Sequence, residues 1–141
     1  MIYQALFAPD PKGGILVTFP DFGCATHGDD ESDAYDMAQD LLVHMLSDRI
    51  VARQDIPHPG KTRGRHTRPV VVPALVAAKI ALYRELRAAA ITKAELARRM
   101  GQPKQQVERL FNLRRASRLD QIEAAFVALG KRLAIEVQPA A

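Results

Sequence analysis

Two short stretches rich in β-branched and aromatic residues, Ile2 to Phe7 and Ile15 to Phe19, read as strands. Between them the sequence PDPKGG supplies two prolines, an aspartate and two glycines, which is a strong reversal signal, so a β-hairpin is expected. Pro20-Asp21-Phe22-Gly23 turns the chain again, and Cys24 to His27 fits a third short strand. Gly28 then leads to a helix start at Asp30, where Asp33 three residues on resembles a capping box. From Asp33 to about Arg53 the apolar residues Ala34, Ala38, Leu41, Leu42, Met45 and Leu46 recur at helical spacing. Their period predicts an amphipathic helix with one face on a sheet and Asp36, Asp40, His44 and Asp48 on the other. Such a ββ(β)α module is too small to bury much surface alone. It is expected to recruit Val70, Val71 and Val72 as a further strand, or to dimerise.

The stretch QDIPHPGKTRGRHTRP breaks the periodicity with proline, glycine and positive charge. It divides the chain into a first domain over residues 1–58, a flexible basic linker over 59–69 and a second domain over 73–141. The linker cations Lys61, Arg63, Arg65 and Arg68 read as a solvated tether or as an arm that touches nucleic acid. Beyond Pro73 the pattern is helical, with segments expected at Ala74–Ala89, Thr92–Met100, Pro103–Asn112 and Ser117–Leu129. The last stretch, KRLAIEVQ, alternates Leu133, Ile135 and Val137 and reads as a strand. No strand of the same domain is available to pair with it. Pairing with a second copy would satisfy its backbone groups and create a homodimer. Further self-association to a tetramer is left open by the residues.

The segment ITKAELARRMGQPKQQVERLFNLRRAS carries the clearest mechanism. Thr92 and Glu95 form a T-x-x-E capping pattern, Gly101 permits a positive φ at a tight turn, and Pro103 suits the first position of the next helix. Small Ala97 allows close helix approach, and Val107 and Leu110 face back toward the first helix. That spacing is what a helix-turn-helix requires. Its exposed face offers Lys104, Gln105, Gln106, Arg109 and Asn112, and Arg114, Arg115 and Arg118 follow directly. Glutamine matches adenine and arginine matches guanine in the major groove, while flanking arginines suit phosphates. With Thr92 and Lys93 at the start of the first helix and Gln102 in the turn, these residues are the candidate DNA contacts. A two-fold dimer of such units reads half-sites about 34 Å apart, so a palindromic operator DNA is expected.

Charge sharpens this division. The 141-residue chain is 48% hydrophobic and 26% charged with a net charge of +4, the balance of a globular protein. Residues 1–60 hold three basic against ten acidic residues, a net −7, whereas residues 61–141 hold seventeen against six, a net +11. An acidic half suits a basic partner and a basic half suits nucleic acid. No apolar run approaches the roughly 20 residues of a membrane span, and no signal peptide opens the sequence, so a cytoplasmic protein is expected. The single Cys24 excludes an internal disulfide framework. Cys24 and His27 lie close, but three or four ligands are needed for zinc and the other histidines are scattered, so neither a metal nor a cofactor is expected. A Cys24–His27 nucleophile would lack an orienting third group.

The sequence resembles HicB, the antitoxin of HicA–HicB toxin–antitoxin systems, in the version that carries an Xre-like helix-turn-helix. The resemblance runs through VTFPDFGCATHGDD, IPHP at 56–59, VPALVAAK, ELARRMGQPKQQVERLFNLRRA and ALGKRLAIEV. It implies an α+β protein whose first domain has a partial ribonuclease H-like fold and binds a HicA-type toxin, a small basic ribonuclease. The second domain would repress the toxin–antitoxin operon. Candidate toxin contacts are Asp29, Asp30, Glu31, Asp36 and Asp40. Ribonuclease H enzymes hold two metal ions on carboxylates, several of them on strands, whereas Ile2–Phe7 and Ile15–Phe19 contain no acidic residue. No enzymatic activity is therefore expected. The competing reading is a stand-alone helix-turn-helix regulator whose first domain senses a ligand or another protein.

Overall fold

The computed structural model describes residues 1–140 and is a mixed α+β architecture. The described elements, in order, are β1 (Ile2–Pro9), β2 (Ile15–Phe19), β3 (Cys24–Gly28), α1 (Glu31–Val51), β4 (Thr67–Val71), α2 (Ala74–Ala88), α3 (Lys93–Met100), α4 (Lys104–Leu110) and α5 (Leu119–Ala128). The chain forms two compact units, Met1–Ala77 and Ala78–Ala141, so the division falls inside α2. It does not coincide with the basic stretch at 59–69.

In the first unit the sheet is antiparallel throughout, in the order β3-β2-β1-β4. The hairpin between β1 and β2 forms where PDPKGG predicts it, with Gly13 and Gly14 both at positive φ. Side chains alternate across the strands. Tyr3, Ala5, Phe7, Val17, Phe19 and Val70 are buried, and Ile2, Leu16 and Val71, at the alternate positions, are about two-fifths exposed. Over the buried face lies α1, whose buried residues Ala34, Ala38, Leu42, Leu46 and Ile50 form one i, i+4 ridge. Leu41 and Met45 flank that ridge and stay half-buried.

β4 is the strand that the valine run predicts, displaced toward the N-terminus. It spans Thr67–Val71, so the basic stretch runs into the sheet, and its register pairs Tyr3 with Val70 and Leu6 with Thr67. The stretch before β4 is also tied to the first unit. Tyr3 donates its hydroxyl to the Pro57 carbonyl (2.6 Å), Gly60 N–H reaches Asp21 Oδ2 (3.0 Å), and Phe7 N–H reaches the His66 carbonyl (2.8 Å). Arg68 forms an ion pair with Glu31 (3.2 Å) and lies 4.8 Å from the Phe7 ring centroid. The linker at 59–69 is thus attached at its two ends. At the edge of the sheet, Val71 N–H donates to the Tyr35 hydroxyl (3.1 Å) and its carbonyl accepts from Gln39 (2.7 Å). Two side chains of α1 thereby satisfy backbone groups that an edge strand would otherwise leave unpaired.

Helix α1 starts at Glu31 with Asp30 as its N-cap: Asp30 Oδ1 accepts from Asp33 N–H (2.8 Å). The reciprocal bond expected of a capping box is shifted by one residue, since Asp33 accepts from Asp29 N–H (2.9 Å). Gly28 is buried against this start, and a Cβ there would run into the backbone of Ala34. Gly28→Ala should therefore cost about 1–3 kcal/mol, the range of an overpacked core. The urea midpoint measures it, and an unchanged midpoint would show that α1 can move away at no cost.

In the second unit Leu96, Ala97, Val107, Leu110, Ile122, Ala125 and Phe126 bury a small core among α3, α4 and α5. Gly101 closes α3 in the left-handed region at φ 63°, as the turn requires. Two local expectations change. Pro103 is the N-cap of α4, in extended conformation at φ −61° and ψ 145°, and not its first helical residue. Residues 131–140 form no strand in the single chain. Ile135 and Val137 are 69% and 92% exposed.

Candidate functional site

Two surfaces collect the residues that carry charge. On the first unit, Asp36, Asp40, His44 and Asp48 are exposed along α1. Each lies two residues beyond a member of the buried ridge, about 200° around the helix, so the acidic stripe faces directly away from the sheet. Two of the other three acidic candidates are less available. Asp30 is committed as the N-cap and Glu31 to Arg68, while Asp29 lies exposed just before the helix. Charge counted by unit also differs from charge counted by half. The linker cations belong to the first unit, which holds seven basic against ten acidic residues (net −3), and the second holds thirteen against six (net +7). The asymmetry survives at lower contrast.

Cys24 and His27 do not form a site together. Cys24 belongs to the side of β3 that faces α1, with its thiol against the Met45 thioether, and burial pushes that thiol above its ordinary range. His27 is on the opposite side, with Nε2 2.8 Å from the Gly13 carbonyl and 3.7 Å from Asp10. Strand alternation separates the two. No group of three or more His, Cys, Asp or Glu side chains that could hold a metal occurs among the described residues.

On the second unit, α3 and α4 are short helices joined by the Gly101 turn. Thr92 caps α3, its hydroxyl accepting from Glu95 N–H (3.1 Å). The Glu95 side chain does not return to Thr92; it accepts from Arg98 (2.8 and 2.6 Å) and Arg99 (3.2 Å). Those hydrogen bonds, Arg98 foremost, hold the Glu95 carboxyl down at about 2. A depressed carboxylate contributes stability above its unfolded value near 4.5 and loses it as pH falls toward 2. An NMR titration should therefore place the Glu95 midpoint well below the usual carboxylate range of about 4.3. A midpoint above 4 would show that the arginine fork does not persist in solution.

Along α4, Lys104, Gln105, Glu108 and Arg109 share the exposed face, opposite buried Val107 and Leu110. Asn112, just past the helix, is also exposed, and its Oδ1 accepts from Arg114 N–H (3.1 Å). Gln106 lies at the flank. With Gln102 it lines a groove of about 590 Å³, together with Val107, Leu110, Ala124 and Val127. Lys93 is engaged within the unit, 3.2 Å from Glu108 and 5.3 Å from the Phe111 ring centroid. Arg114 and Arg115 are exposed on the loop after α4.

Two features escaped the sequence reading. Glu108 puts a negative charge in the middle of the α4 face, and Lys93 neutralises it. Lys79 is fully buried and donates to the Arg109 carbonyl in the last turn of α4 and to the Asn112 and Arg115 carbonyls just beyond it, and burial pushes its ammonium below the ordinary lysine range. The available signal was periodicity: Val76, Lys79, Ile80, Tyr83 and Leu86 fall on one helical stripe.

Comparison with known proteins gives this pair of surfaces a family. A family model described as the HicB-like antitoxin of bacterial toxin–antitoxin systems matches residues 2–81. The match spans the first unit from its second residue onward. Antitoxin HicB of Escherichia coli (strain K12) is 37% identical over 136 residues, 96% of this chain and 98% of its own. Antitoxins HicB 1 and HicB 2 of Photorhabdus laumondii are 33% and 38% identical, over 98% and 94% of this chain and 88% and 94% of theirs. The chain belongs to the HicB-like antitoxin family. No helix among the described residues is long and apolar enough to cross a membrane.

Proposed function

We propose that this protein neutralises a small basic ribonuclease toxin of the HicA type and represses transcription of its own toxin–antitoxin operon. The observation that carries the reading is similarity to proteins named antitoxin HicB along 96% of the chain, through both units. Toxin binding falls to the acidic face of α1, with Asp36 and Asp40 at its centre and Asp29, Asp30 and Glu31 at its start. Complementary charge would accelerate the encounter and exclude other partners. DNA binding falls to α3 and α4 as a helix-turn-helix. Gln105 and Arg109 are the base-reading side chains, Thr92, Lys93, Gln102, Lys104, Gln106 and Asn112 surround them, and Arg114 and Arg115 reach the phosphates. Support comes from the Thr92 cap, the left-handed Gly101 and the outward face of α4. The protein acts as a binding partner and carries out no catalytic step. It works as a homodimer on a palindromic operator, through Leu133, Ile135 and Val137.

Co-expression tests this directly. The reading frame beside this gene that encodes a short basic protein should be toxic alone, harmless when co-expressed, and recovered in complex with this chain. A neighbour that neither co-purifies nor loses its toxicity overturns the antitoxin reading and leaves a stand-alone regulator.

A further inference from the structure

Lys79 is the only fully buried charged side chain among the described residues. Removing an ammonium from water is costly unless every N–H finds an acceptor. Here all three do. Nζ lies 3.0 Å from the Arg109 carbonyl, 2.8 Å from that of Asn112 and 2.6 Å from that of Arg115. These acceptors are spaced three residues apart. The first two also accept backbone N–H groups, from Asn112 (3.2 Å) and from Arg115 (3.2 Å). Two successive tight turns therefore hang on a single cation. Leu113 is buried between them, and Arg114 and Arg115 are exposed. The first carbonyl belongs to the last turn of α4, where the helix dipole is negative and favours a cation.

We infer that Lys79 is a positioning residue for phosphate binding: it holds the Arg109–Arg115 segment, the end of α4 and the turns after it, in the shape that presents Arg114 and Arg115 to the DNA backbone. Lys79 itself touches no DNA. The inference rests on the DNA-binding reading proposed above. A lysine that only stabilised the fold would lower the folded fraction and leave phosphate binding by the folded molecules intact. Lys79 instead acts through the two arginines, so its removal and theirs have the same consequence.

The test uses the full chain and a duplex from the region upstream of its own operon, titrated across a salt series. Circular dichroism gives the folded fraction, to which each affinity is corrected. The slope of log K against log salt changes by roughly 0.9 for each phosphate that the protein ceases to neutralise. Lys79→Met should flatten it by about 2, Arg114→Ala with Arg115→Ala should flatten it equally, and the triple variant should be no flatter. Should Lys79→Met fail to fold, Lys79→Gln, which keeps two N–H donors at shorter reach, enters the same cycle and should give an intermediate slope. A wild-type slope in the lysine variant, or effects that add in the triple variant, overturns the positioning role while DNA binding stands. Wild-type protein with no affinity for the duplex overturns the DNA-binding reading, and this inference with it.

Discussion

Deleting residues 132–141 should lower affinity for a two-half-site operator at least about 100-fold, toward the non-specific range of 10⁻⁴–10⁻⁶ M. Affinity for an isolated half-site should be unchanged. The segment contains Leu133, Ile135 and Val137 in alternation, and in the single chain it has no strand partner, with Ile135 and Val137 mostly exposed. Backbone groups and apolar side chains left in water are what a second copy would cover. Once two copies are joined, the second half-site is met at high effective concentration, which is why removing the joint costs so much. The truncated protein should sediment as a monomer at concentrations where the intact chain is a dimer. An unchanged operator footprint would place the dimer interface elsewhere.

Replacing Asp36 and Asp40 together by lysine should slow association with a basic toxin at least about tenfold at low salt, because four units of charge change on one helix face. The effect should shrink as ionic strength approaches and passes 0.15 M, where the Debye length falls to about 8 Å. These two positions suit the test because neither supports the helix. Asp30 caps α1 and Glu31 pairs with Arg68, so substitutions there would mix damage to the structure with removal of charge. Stopped-flow association rates read the effect, and circular dichroism checks the fold. Equal rates for the variant and the wild type would move the toxin interface away from this face.

Most of the first unit was legible before its structure. The hairpin, the third strand, the acidic helix and the recruitment of the valine run all follow from side-chain period and turn chemistry. The second unit was legible as short helices, with Gly101 at the turn. The errors are of one kind. Thr67, Arg68 and Pro69 have the composition of a linker, yet they extend β4, because β1 offers them a hydrogen-bonding edge and Phe7 and Glu31 offer Arg68 a place. The strand read into residues 131–138 is absent from the single chain, since an alternating pattern makes a strand only where a second one runs beside it. Pro103 moved by one position, a difference that depends on the turn and not on proline itself.

The candidate sites divide the same way. Asp36 and Asp40 on one side of α1, and Lys104, Gln105 and Arg109 on one side of α4, are set by the 3.6-residue period and were readable directly. The sequence by itself determined which residues share a face, where helices begin, and where a glycine must turn the chain, because these depend on neighbours a few positions away. Only the tertiary structure decided that Glu31 is tied to Arg68, that the Cys24 thiol meets the Met45 thioether, and that Lys79 holds carbonyls 30 to 36 residues distant. Those contacts arise when a buried or edge group must find a partner after the chain has folded back on itself. No local spacing specifies where that partner will be.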